Sequence, residues 1–193
     1  MSPRKDKLGG AYLSKEVFLT KALQCLSDSG GSKPRIGELV SAIGVTRGSF
    51  YWHFKDRSEF VVELVRHWHN ESTLIVAERL DATQALPQEK LKILMEMICV
   101  RQLTRHDQAV RNWALGEPNV SKQIEETEAY RLAYVSKLFS ACGFSKEDAE
   151  FRATIFVSEA SREGLLFSRM KKKERLHRAQ LFYDLLMTPT GNS

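Results

Sequence analysis

An all-α fold is predicted for this chain of 193 residues by three observations. Apolar residues recur every three or four positions along most of the sequence, broken mainly where proline and glycine fall, and no β-rich alternation of apolar and polar residues occurs. The run from Gly44 to Glu59, GVTRGSFYWHFKDRSE, sets a turn glycine between two short apolar segments, the layout of a helix-turn-helix. Net charge is concentrated in the same part of the chain. About nine helices are expected, three of them in an N-terminal domain and the rest in a helical body.

Residues 1–13, with Pro3, Gly9, Gly10 and the basic Arg4, Lys5 and Lys7, read as a flexible basic arm. Ser14 is placed to cap a first helix running to about Ser27, with Val17, Phe18, Ala22, Cys25 and Leu26 at helical spacing, and Asp28 to Gly31 end it. Leu39, Val40 and Ile43 mark a second short helix, Gly44 supplies the turn, and Thr46 caps a third helix that begins at Arg47. Together these form a domain over 14–57. Asp56 can cap a longer helix in which Phe60, Leu64, Val65, Trp68, Leu74 and Ile75 recur out to about Leu80, opening a second domain over 58–193. Beyond it, breaks at Pro87, Gly116 to Pro118, Gly143 and Lys171 to Lys173 leave helices near 87–104, 106–115, 119–141, 146–168 and 173–187.

A helix starting at Arg47 sends Val45 and Phe50 inward and Arg47, Gly48 and Tyr51 outward. The outward face carries DNA chemistry. Arg47 can make a bidentate contact with guanine O6 and N7, Gly48 allows close backbone approach, and the Thr46 and Ser49 hydroxyls suit bases or phosphates. Tyr51 offers a phenol for a phosphate and a ring for a thymine methyl, with Trp52 beside it on the same helix. His53, Lys55 and Arg57 place donors just past the helix, where the phosphate backbone would run, and Arg35, before the second helix, is a further candidate phosphate contact. Residues 1–57 hold ten Lys and Arg against five Asp and Glu; of the totals of 29 and 24, nineteen of each sign remain, so the whole net charge of +5 lies in this segment. A basic segment can also be plain solvated surface, and it is the coincidence with the third helix that favours DNA.

At Gly44, Val45, Thr46, Phe50, Tyr51, Trp52, His53, Phe54 and Lys55 the chain resembles the tetracycline-repressor (TetR) family of bacterial one-component regulators, whose signature contains a similar Gly-Val-Ser/Thr…Phe/Leu-Tyr-Trp/Tyr-His-Phe-Lys run. The resemblance extends over roughly residues 14–65. It implies a three-helix DNA-binding domain, a helical C-terminal domain that binds a small-molecule effector and dimerises, and usually repression relieved by that effector. Two positions depart from the family's pattern. Arg35 stands where a capping Thr or Ser is usual, and Gly30-Gly31 where a Gly-aromatic pair is usual.

In the helical body, Trp68, Met95, Cys99 and Trp113 are candidates to line an apolar effector cavity, with Arg101 or His106 as polar anchors; taken singly, each is also an ordinary core residue. The last two expected helices carry small and apolar residues at helical spacing: Ala153, Phe156, Ala160 and Gly164 on one, Ala179, Tyr183 and Leu186 on the other. They either cover the core of one subunit or form a four-helix interface between two. The second is favoured, because helix-turn-helix readers generally address two half-sites.

Three separated cysteines, Cys25, Cys99 and Cys142, without a CxxC pair or a secretory leader, fit a reducing cytoplasm. No apolar run approaches the ~20 residues needed to span a bilayer. His67 and His69, two apart on a helix, point different ways, and no Cys/His pairing or HExxH occurs, so no metal and no cofactor is expected. Without a nucleophile elbow, phosphate loop or dinucleotide fingerprint, no enzyme activity is assigned. The expected protein is a homodimeric, effector-released regulator that binds double-stranded operator DNA. The alternative is a helical interaction protein whose DNA head is auxiliary.

Overall fold

The computed structural model describes residues 13–32, 35–100, 102–115, 117–118, 120–161 and 170–189, together with the backbone of 119 and 162–166. The expected arm other than Leu13, Arg101, and the surroundings of Gly164 lie outside the described residues. The elements are α1 (Lys15–Asp28), α2 (Ile36–Ile43), α3 (Arg47–His53), α4 (Arg57–His69), a π-helical turn (Asn70–Leu74), α5 (Ile75–Asp81), α6 (Pro87–Cys99), α7 (Asp107–Ala114), α8 (Pro118–Ala141), α9 (Lys146–Leu166) and α10 (Lys172–Met187). With α4, the π turn and α5 counted as one interrupted helix, the described residues hold nine helices and no strand, as the apolar spacing predicts. No helix among them is long and apolar enough to cross a membrane.

Two compact units emerge, Met1–Glu71 with His106–Ile124, and Ser72–Arg105 with Glu125–Ser193. This division by packing differs from the boundary at 57/58 expected from sequence. Phe60, Val61, Leu64, Val65 and Trp68 of α4, and Ala109, Val110 and Trp113 of α7, belong to the same apolar core as the three N-terminal helices. The reason is area: three helices this short bury too little apolar surface alone, and α4 and α7 supply the rest.

In the first unit, Ser14 Oγ accepts the Val17 N–H at 3.3 Å to start α1, and Gly30 and Gly31, at φ 66° and 88°, end it. The Gly31 N–H closes onto the Leu26 carbonyl at 2.9 Å. A Cβ on Gly31 would lie 2.5 Å from the Ala109 carbonyl oxygen and 2.6 Å from Asn112 Cβ. α7 therefore packs on a stretch of backbone that only glycine permits, which accounts for the glycine standing where the family has an aromatic residue. Asn112 adds a hydrogen bond to the Gly30 carbonyl at 2.8 Å. At the centre lie Phe18, Phe50, Phe54 and Phe60, all buried, with the Phe54 centroid 5.2 to 5.4 Å from the other three. These edge-on and tilted contacts suit the ring quadrupole.

The second unit packs α6 against α9 and α10. α9 and α10 run antiparallel: Arg152 donates to the Leu186 carbonyl near one end, and Arg178 meets Glu159 at 2.6 Å near the other. Arg152 is almost wholly buried, and its charge is balanced by Asp148 at 2.8 Å and the Phe144 ring at 4.0 Å. Ala149, Ala153, Phe156, Val157, Ala179 and Leu186 join Leu91, Leu94 and Phe139 in its core.

Candidate nucleic-acid interface

The turn that presents α3 is built from local chemistry. Gly44 sits at φ 79° and its N–H closes α2 on the Val40 and Ser41 carbonyls, at 3.0 and 3.2 Å. Thr46 Oγ1 then accepts the Ser49 N–H at 3.2 Å and lies 3.2 Å from Ser49 Oγ, so both candidate hydroxyls stand at the start of α3. Phe50 is fully buried and anchors the helix in the aromatic core, while Tyr51 and Trp52 are 57% and 71% exposed. Arg47, Gly48 and Lys55 are exposed as well.

Arg47 lies across α2. A Cβ built on Gly37 would stand 3.0 Å from Arg47 Nη2, so Gly37 leaves the guanidinium room to rest there. Nothing in the sequence singles Gly37 out, because a glycine in a helix has many explanations. Arg35 is exposed at the N-cap of α2, where its N–H donates to Glu38 Oε2 at 3.3 Å. A guanidinium has no acceptor, so it cannot replace the usual capping hydroxyl.

Two residues expected as phosphate contacts have partners within the protein. His53 Nε2 is 2.9 Å from the Leu13 carbonyl and its ring packs 5.9 Å from Phe18, which ties the chain before α1 to the end of α3. Arg57 is paired with Glu117 at 3.0 Å, across to the start of α8. Both lie at the edge where phosphates were expected, and both are engaged by the protein.

Of the six candidate effector residues, Arg101 lies outside the described ones and the other five are divided between the two units. Trp68, His106 and Trp113 fall in the first unit and Met95 and Cys99 in the second. Trp68 donates its indole N–H to the wholly buried Asp107 at 2.8 Å, His106 Nδ1 is hydrogen-bonded to Ser27 Oγ, and Trp113 is buried with no acceptor for its indole N–H. Met95 and Cys99 are core residues in sulfur contact at 3.9 Å. The second unit instead contains a different cavity of about 50 Å³. Val76, Ala77, Leu94, Ile98, Val135, Phe156 and Val157 make its apolar wall, and Ser72, Thr73, Thr104 and Arg131 its polar edge. Tyr134, also in the lining, donates to Asp81 at 3.0 Å; burial first and this bond second push its phenol well above the usual range, so it stays protonated. These residues come from α5, α6, α8, α9, the π turn and the connection after α6. No single helix reveals such a cavity, since each contributes only two to four positions of an ordinary core stripe.

Apart from Gly164, whose surroundings lie outside the described residues, the expected dimer residues also turn inward. Ala153, Phe156, Ala179 and Leu186 are buried in the second unit's core, Ala160 lines the cavity, and Tyr183 donates to the Gln88 carbonyl at 3.0 Å. Small residues at helical spacing serve close packing inside a subunit as well as between subunits. Among the described residues, the most exposed large apolar side chains of the pair are Phe151 (65%), Leu181 (57%) and Leu185 (68%), which lie off the buried stripes of α9 and α10.

Residues 18–64, the span from α1 through most of α4, match the family described as bacterial regulatory proteins, tetR family. Over 88 residues the chain is 34% identical to the HTH-type transcriptional regulator AcrR of Shigella flexneri, a match covering 46% of this chain and 40% of that protein. The chain thus spans well under half the length of this curated relative. Among solved structures, a TetR-family transcriptional regulator from Streptomyces coelicolor superposes with a TM-score of 0.66 over 89% of this chain and 94% of its own, at 13% identity. The fatty acid degradation regulator FadR from Bacillus halodurans does so with a TM-score of 0.63 over 88% and 92%, at 14% identity. The similarity of fold therefore extends over both units, whereas the similarity of sequence is concentrated in the first.

Proposed function

We propose, from the match of residues 18–64 to the tetR family of bacterial regulatory proteins and the similarity to AcrR, that the chain is a homodimeric, sequence-specific repressor released from its operator by a small molecule. The observation that carries the reading is α3 itself. A seven-residue helix pinned by one fully buried phenylalanine turns Arg47, Gly48, Tyr51 and Trp52 outward. Two exposed aromatic residues beside an arginine on so short a helix form a face that suits a major groove. Lys55 is the phosphate contact next to it, and Arg35 a second one at the start of α2. His53 and Arg57 serve by fixing the ends of the head. Ligand in the second unit's cavity would weaken DNA binding by a coupling of ~1–3 kcal/mol.

Dimerisation in this reading uses the outward side of α9 and α10, around Phe151, Leu181 and Leu185. Two half-sites about 34–36 Å apart then require an inverted repeat. Leu185→Glu is expected to give monomers in sedimentation and to weaken operator binding, with helicity retained.

DNA fragments selected by the purified protein near physiological salt should share an inverted repeat. Arg47→Ala should cost about 1–3 kcal/mol and relax the preference at one base pair, whereas Lys55→Ala should weaken all sequences alike and flatten the salt dependence. Unchanged DNA affinity in both variants would sink the docking of α3.

A further inference from the structure

We infer that the effector class taken by the second unit's cavity is a short-chain aliphatic monocarboxylate, its carboxylate held by Arg131 at the π-helical turn; this rests on the proposed regulatory reading. Among the described side chains that line the cavity, Arg131 alone is charged. Its Nε donates to Thr73 Oγ1 and its Nη2 to Ser72 Oγ, both at 2.9 Å, while Nη1 faces Glu128 at 3.4 Å. The Nε–Nη2 edge is the fork that a carboxylate fits with two parallel hydrogen bonds, and two neutral hydroxyls now occupy it. A carboxylate is the stronger acceptor, and the displaced hydroxyls, being rotors, can turn to donate to it.

The remaining walls favour an aliphatic tail. Val76, Leu94, Ile98 and Val157 line the space, and two of the other polar groups are already hydrogen-bonded: Thr104 donates to the Ala160 carbonyl at 2.9 Å and Tyr134 to Asp81. The volume of about 50 Å³ is well below the ~150 Å³ of an apolar cavity that takes benzene. Room for a longer tail would come from Leu103 and Thr104, which lie beside Gln102 at φ 54°, the one positive φ at a non-glycine among the described residues.

Ser72 and Thr73 belong to the π turn, Asn70–Leu74. Turns of this kind recur at functional sites because the extra residue is poorly satisfied by the helix alone. Here two of its side chains are clamped by Arg131, and a bound carboxylate would exchange that clamp for itself. The ligand thereby acts on the helix interruption as well as filling the cavity.

The test is calorimetric titration of the full-length protein with butyrate and hexanoate and with the matching amides, butanamide and hexanamide. The acids should bind, with the amides at least about tenfold weaker because the charge-assisted pair is lost. Arg131→Gln should remove the preference for acid over amide, and Val157→Phe, which fills the cavity, should abolish both. If Arg131→Gln does not fold, Arg131→Lys keeps the charge without the fork and should reduce the preference. Equal binding of acid and amide, or no binding of either acid at millimolar concentration, overturns the inference. DNA binding is measured on the same samples without acid. Its presence in an acid-insensitive protein separates failure of this inference from failure of the regulatory reading.

Discussion

The two units solve the same problem, burying apolar surface between helices, with different tolerances. The first closes around four interlocked phenylalanines and presses α7 onto a bare glycine. The second closes around aliphatic side chains from five segments and retains a cavity edged by hydroxyls and one arginine. Short helices that must hold a reading head in register allow no slack. A unit proposed to admit a guest would need some, and cavities lower local stability by the contacts their lining forgoes.

The sharpest way to break that contrast is at Gly31. Gly31→Ala combines a positive φ with a backbone clash against Ala109 and is expected to cost more than about 2 kcal/mol in denaturant unfolding. Gly30→Ala, at φ 66° with open space around it, should cost only about 1 kcal/mol, from backbone strain alone. Equal losses would show that α7 is not seated on that glycine. Next in size, Asp107→Ala leaves the buried Trp68 indole N–H without its acceptor and should cost about 1–3 kcal/mol.

Enlarging a side chain tests the slack itself. Ala22→Leu in the first unit should destabilise by about 1–3 kcal/mol, as overpacking does. Val157→Ile, which adds one methylene at the cavity, should be neutral or stabilise by up to about 1 kcal/mol. The contrast fails if thermal melts put both variants on the same side. Gly37→Ala separates stability from function within the first unit. A helical glycine replaced by alanine should gain up to about 1 kcal/mol, while the new Cβ, 3.0 Å from Arg47 Nη2, displaces the guanidinium and changes DNA affinity.

The smallest effect concerns pH. Burial holds the His67 imidazole below its ordinary value of 6.5, against the raising pull of Glu71 and Glu16. A base with a depressed folded-state pKa is favoured neutral, so its contribution is complete above the ordinary value and is lost as pH falls through the lower folded one. Melting temperatures should therefore drop more between neutral and mildly acid pH in the natural protein than in His67→Gln, which keeps a partner for Thr20. Parallel curves would assign the acid sensitivity to other groups.

Much of the first unit was legible in sequence because its signals are local. Gly44 must be glycine-like for its turn, Thr46 must cap, and Phe50 and Phe54 must fall on one side of a short helix. Each requirement lies within a few residues of its cause. The inward turn of His53 and the pairing of Arg57 with Glu117 were not legible, because their partners stand 40 and 60 residues away. The same distance hid the role of Gly31, whose reason for being glycine is Ala109.

In the second unit the sequence determined that there would be long helices and roughly where they break, since helical periodicity and proline or glycine punctuation act along one segment at a time. Which stripe faces which neighbour was decided only by tertiary packing. Ala153, Phe156 and Leu186 look equally fit for an interface and for a core, and only the antiparallel seating of α9 on α10 turned them inward and left Phe151, Leu181 and Leu185 outside. The cavity is the extreme case. It belongs to no element, because a void is a property of the gap that several helices leave between them, and apolar periodicity records what a residue avoids without recording what it meets.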